Sequence, residues 1–248
     1  MTNNLHKKDY SAFFKALLIL AIMWLVYMFN YANEFYLNEY SIYPRKIEGL
    51  IGVFTSPWLH SSLDWSHIIN NSAPIFALSW ALFYFYKKIA WQTFLFVWLV
   101  GGFLVWISAR EAYHLGMSGV IYGLAAFLFT NGVIRKDTKL LAIALLVVLE
   151  YGSMVWGIFP LEEKVSWEAH LWGAVTGVVF AFYSKNIAVG PPKKKYLWQI
   201  EEELGLDNYE EEFWMVDEEG NPINNEPEKR DKNFITSIKY IVTKKGKS

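Results

Sequence analysis

Apolar residues in this chain gather into six long blocks, near 12–32, 66–86, 91–109, 116–134, 139–159 and 167–185, and the charged residues crowd between them. Each block approaches the roughly 20 residues that a helix needs to cross a hydrocarbon core about 30 Å thick. None alternates with period two over its length, which argues against a membrane β-barrel. Helices satisfy their own backbone hydrogen bonds in lipid. The pattern therefore predicts an all-α polytopic membrane protein, a bundle of six transmembrane helices within residues 1–190. The first block runs on into the aromatic stretch "MWLVYMFNYANEFY" with no small-residue cleavage site. It reads as a retained helix, not as a removed signal peptide.

After the sixth block the pattern changes. Pro191-Pro192 and three lysines mark a break, followed by the acidic "EEELGLDNYEEEFWMVDEEGNP" and the mixed "ITSIKYIVTKKGKS". Within it, "DEEGNP" reads as a turn between two short strands. Residues 191–248 hold too few apolar side chains for a large core of their own, so a small module or an acidic tail is expected.

The basic residues sort by side. Lys7, Lys8, Lys15, Lys87, Lys88, Arg135, Lys136, Lys139, Lys185, Lys193, Lys194 and Lys195 fall on one side of the predicted bundle. Only Arg45, Lys46, Arg110 and Lys164 fall on the other. The positive-inside rule then puts both termini, and residues 191–248 with them, in the cytoplasm. That architecture suits a bacterial inner membrane. The long first outer connection, about 33–65, contains "SPWLHSSLDW" and is expected to lie in the membrane interface.

Composition adds exclusions. The 248 residues include no cysteine, which removes disulfides, thiol catalysis and Cys-based zinc sites together. The net charge of −1 singles out no partner class, and no nucleic-acid partner is expected.

Polar side chains inside membrane blocks are costly, and each asks for a functional reason. Three clusters stand out. Gly116-Met117-Ser118-Gly119 opens the fourth block; Gly119 and Gly123 share a helix face, and Tyr122 stands one turn after Ser118. Taken alone, this motif reads first as a small-residue packing seam. His67 and Asn71, four apart at the outer start of the second block, fit an interhelical polar clamp equally well; Pro74 follows one turn inside. His170 opens the sixth block with Gly173 and Gly177 on its face, and a lone membrane histidine is more often structural or part of a proton relay. The predicted topology puts all three clusters at one depth. A serine is a weak nucleophile unless a base lies within hydrogen-bond reach. Acyl transfer also needs donors preorganised where the oxyanion develops. Ser118, His170 and the pair His67–Asn71 are the residue types that fill those roles together.

At these residues the chain resembles the rhomboid family of intramembrane serine proteases. The family pattern of Gly-x-Ser-Gly with a tyrosine four residues on is matched by Gly116-Met117-Ser118-Gly119 and Tyr122. A histidine followed by spaced glycines is matched by His170, Gly173 and Gly177, and His-x-x-x-Asn by His67 and Asn71. His60 is similar to a histidine often seen in the family. The resemblance covers about residues 10–185. It departs from the family in the first outer connection, where Trp58 lacks the neighbouring arginine that many members carry, and in the acidic C-terminal extension.

The resemblance implies a Ser-His dyad in which His170 takes the Ser118 proton. His67, Asn71 and the Ser118 N–H would stabilise the oxyanion, and Tyr122 would pack on the base. It implies no metal and no cofactor. The implied substrates are single-span membrane proteins, entering laterally from the bilayer beside the second and fifth helices, under the loop near residues 162–166. Other classes fit less well. His-Glu-x-x-His is absent, and no aspartate pair lies within the blocks. A catalytically inactive client-binding relative of this fold is the alternative. A transporter would want polar residues through both halves of the bundle.

Overall fold

A computed structural model of the protein describes residues 10–33, 37–61, 65–136, 138, 141–143, 145, 156–161 and 165–187. Five long helices are found among them: α1 (Ser11–Ala32), α2 (Trp65–Phe85), α3 (Ala90–Ser108), α4 (Ser118–Arg135) and α5 (Trp167–Tyr183). They correspond to the first four and the sixth apolar blocks. The described residues contain no β-strand, only an isolated bridge between Ile42 and His114. Most of the fifth predicted span, 139–159, lies outside the described residues, as do Asp64, Lys164 and the segment 191–248.

Helices α1 to α4 are each long and apolar enough to cross a membrane. In α1 the buried stripe Ala12, Ala16, Ile19, Met23, Tyr27 and Asn30 follows the helical period. The opposite face carries Phe14, Leu18, Leu25 and Phe29, all exposed. A helix that is apolar on both faces suits lipid on one side and protein on the other. The core joins Ile75, Leu78 and Leu82 of α2 to Phe94 and Val97 of α3, Leu124, Phe127 and Leu128 of α4, and Phe180 of α5.

Glycines set the closest approach in the bundle. A Cβ on Gly173 would overlap the Gly119 carbonyl oxygen, and one on Gly177 would overlap that of Gly123. Backbone of α4 therefore lies directly on backbone of α5, as small residues at a membrane helix seam permit. Arginines fasten both ends of this pair. At one end the Arg135 guanidinium donates to the Lys185 and Ile187 carbonyls at 3.0 and 2.8 Å. At the other, Arg110 donates to Glu168 at 3.2 Å and to the Val165 carbonyl at 2.8 Å.

Residues 37–61 form a cap of short turns: 3₁₀ turns at Leu37–Tyr40, Glu48–Ile51 and Ser56–Trp58, and one α-turn at Gly52–Thr55. The buried Ser56 hydroxyl accepts from the Ile42 N–H at 2.8 Å and donates to the His114 carbonyl at 2.9 Å. Arg45 donates to the Ala109 carbonyl at 2.7 Å. Trp98 of α3 donates to the Val53 carbonyl at 2.8 Å and packs edge-on against Trp58. The cap is thus tied to the α3–α4 connection, which leads into Ser118.

Two boundaries differ from the sequence expectation. The fourth helix begins at Ser118, not at 116, because Gly116 adopts φ +109° and donates its N–H to the Ser56 carbonyl at 2.9 Å. Residues Trp156–Ile158, expected at the end of a fifth α-helix, form a 3₁₀ turn. There the Gly157 carbonyl meets a side chain of α5 instead of a helical N–H.

Candidate active site

The α4–α5 seam determines what its first turns can touch. Ser118 is the first residue of α4, and His170 lies in the first turn of α5. Ser118 Oγ and His170 Nε2 are 2.8 Å apart. His170 Nδ1 lies 2.8 Å from the Gly157 carbonyl. A carbonyl can only accept, so Nδ1 carries the proton and Nε2 is left to accept from the Ser118 hydroxyl. Tyr122 lies flat on the imidazole, with ring centroids 4.1 Å apart and planes 6° from parallel. Gly157 has no side chain where one would collide with the Tyr122 hydroxyl.

The turn before Ser118 is bounded by α2. A Cβ on Gly116 would stand 2.8 Å from His67 Nε2 and 3.7 Å from Asn71 Nδ2, so both nitrogens flank this turn. Glycine is needed here twice over, for its positive φ and for this crowding. Asn71 is buried while Asn70 is exposed, as their spacing on the helix predicts. Ser118 opens its helix, so its own N–H has no intrahelical acceptor. Two nitrogens of α2 thus border the turn that leads into Ser118, whose own N–H opens α4. Among the described residues no group of three or more His, Cys, Asp or Glu forms a metal-binding set.

A second polar group braces the site. Glu168, two residues before His170 and buried, takes the Arg110 guanidinium and backbone N–H. His114 donates from Nε2 to the Arg110 carbonyl at 3.0 Å, and its Nδ1 accepts from the Ser166 hydroxyl. Burial pushes the His114 pKa below the usual imidazole value. Of the loop expected over the site, residues 162–164 lie outside the described residues; Val165 and Ser166 are held by Arg110 and His114.

The sequence motifs thus converge: Ser118, His170 and Tyr122 touch, His67 and Asn71 border the same turn, and Gly119, Gly173 and Gly177 form the seam beneath. Four contributors went unremarked in the sequence: the Gly157 carbonyl, Ser56, the Arg110–Glu168 pair and the His114–Ser166 contact. A backbone carbonyl leaves no sequence signature. Arg110 and Glu168 did leave one, as charges at the ends of apolar blocks.

The Rhomboid domain family model matches residues 48–186, a stretch that runs from the cap to the end of α5. An uncharacterized protein of Mycobacterium tuberculosis is 32% identical over 176 residues, covering 67% of this chain and 72% of the relative. One of Mycobacterium leprae is 30% identical over 177 residues, covering 67% and 68%. With more than half of the chain matched by the family model and α1 to α4 long and apolar enough to cross a bilayer, the protein is an integral membrane protein and belongs to the rhomboid family.

Proposed function

We propose that the protein is an intramembrane serine endopeptidase that cuts single-span membrane proteins. One observation carries this reading: the 2.8 Å contact between Ser118 Oγ and His170 Nε2, with His170 Nδ1 tied to the Gly157 carbonyl. In that tautomer the imidazole accepts the Ser118 proton as Oγ attacks the scissile carbonyl. The oxyanion that forms is met by His67, Asn71 and the Ser118 N–H. His170 returns the proton to the leaving amine. Water then attacks the acyl-enzyme with His170 again as base. Tyr122 stacks on the ring, Gly116 leaves room for His67, and Gly119 lets the Ala169 backbone of α5 come close. No metal or cofactor takes part in any step.

The six apolar blocks argue for six spans, the distribution of lysine and arginine for cytoplasmic termini, and that architecture suits a bacterial inner membrane. Residues 1–190 form the membrane domain and 191–248 a cytoplasmic extension. Substrates reach the serine laterally from the bilayer. The bond to be cut has to leave its helix first, because a helix engages its own carbonyls.

Labelling with a fluorophosphonate probe in detergent, together with cleavage of a reconstituted single-span substrate, tests the reading. Wild type is expected to label and cleave, and Ser118→Ala and His170→Ala to do neither while remaining folded. Cleavage retained in Ser118→Ala would refute the nucleophile. A folded wild type that neither labels nor cleaves any of several single-span substrates would favour the inactive client-binding alternative.

A further inference from the structure

His60 belongs to no step of the mechanism above, yet it is almost fully buried at 1% exposure. It sits between the Ser56–Trp58 turn and α2, and its Nε2 is approached by two nitrogens. Asn71 Nδ2 is 2.9 Å away, and the backbone nitrogen of Met117 is 3.4 Å away. A backbone N–H can only donate, which settles the ring's tautomer: Nε2 is the acceptor and the proton is on Nδ1. The Asn71 amide then gives one of its two N–H groups to His60. A planar amide held at one N–H has its second direction fixed. That same nitrogen borders the Gly116 turn that leads into Ser118.

We propose that His60 is a positioning residue: its neutral Nε2 clamps the Asn71 amide so that the remaining N–H is presented to the oxyanion formed at Ser118. The proposal rests on the reading of Asn71 as an oxyanion donor. The Met117 N–H, drawn toward the same lone pair, is kept out of the oxyanion site, which leaves Ser118 to supply the backbone donor. The acceptor role requires an uncharged ring. Burial, reinforced by the neighbouring His67, lowers the His60 pKa to about 3, so the ring stays neutral at ordinary pH. The rings of His60 and His67 meet edge to face at 5.0 Å, so His60 also backs the second side-chain donor.

A double-mutant cycle on the full chain in detergent tests this, with kcat and KM measured on a single-span substrate. His60→Ala is expected to lower kcat by about tenfold, the effect of one well-placed hydrogen bond, with KM nearly unchanged. In the Asn71→Ala background the same substitution is expected to cost less than about twofold, because its target is gone. His60→Gln, whose side-chain carbonyl can accept from Asn71, is expected to recover most of the loss. His60→Leu fills the site without an acceptor and carries the same cycle if the alanine variant melts below the assay temperature. Equal losses in both backgrounds would mean a general structural role and would overturn the proposal. A His60→Ala loss of kcat larger than that of Asn71→Ala would do so too, because a residue that acts through Asn71 cannot cost more than Asn71 itself. If Asn71→Ala keeps full kcat, the oxyanion reading itself falls, and the positioning role with it.

Discussion

At the residue scale, what distinguishes His170 from a buried structural histidine is the division of labour between its two nitrogens. Nδ1 faces a carbonyl and Nε2 a hydroxyl. The fold orients this ring with a backbone group, the Gly157 carbonyl. Ser118, His170 and Tyr122 were readable because side-chain identity and helical spacing are written in the chain. The Gly157 carbonyl was not, because every residue has one and only the turn at Trp156–Ile158 aims it. The stacking of Tyr122 yields a prediction. If the ring, not the hydroxyl, holds the imidazole, Tyr122→Phe should keep turnover within about twofold. Tyr122→Ala should lose about 2- to 12-fold, the worth of an aromatic pair of roughly 0.5–1.5 kcal/mol. Steady-state cleavage rates decide it, and a phenylalanine variant as impaired as the alanine one would shift the role to the hydroxyl.

At the element scale, the packing-seam and active-site readings of the glycine motifs turn out to be compatible. Gly119 and Gly123 form a seam with Gly173 and Gly177, and that seam is what brings Ser118 within 2.8 Å of His170. Gly173→Ala puts a methyl group where the Gly119 carbonyl stands, so the helices must part. Overpacking of this kind costs about 1–3 kcal/mol, and the Ser118–His170 contact one turn away should open with it. Both a lower melting temperature in detergent and a loss of turnover are expected. Gly101→Ala is the control, since its methyl would find Thr176 Oγ1 at 3.4 Å, a contact that a small shift relieves. Equal behaviour of the two variants would remove the seam from the argument. The four apolar blocks that became α1 to α4 were readable to within one or two residues, because bilayer thickness dictates helix length. The start of α4 was misread only because Gly116, apolar by type, is held out of the helix by its positive φ and its bond to Ser56.

At the scale of the whole molecule, the bundle turns apolar side chains outward on α1 to α4 and buries His60, His114 and His170. The cap was legible only as a long aromatic connection, since backbone and serine contacts across more than fifty residues, such as Ser56 to His114, have no local pattern. Its histidines give the fold a pH dependence whose sign is fixed. Burial lowers both His60, from 6.5 to about 3, and His114. In an unfolded chain these rings take up a proton near 6.5, so below that pH the unfolded state binds more protons than the folded one. Stability is therefore fully present above about pH 6.5 and drains away as the pH falls toward about 3. The midpoint of thermal unfolding in detergent should be lower at about pH 5 than at about pH 7.5. His60→Gln cannot take up the proton, so its midpoint should fall less over the same interval, even if it starts lower. A slope as steep as that of wild type would mean that His60 is not one of the groups whose protonation unfolds the cap.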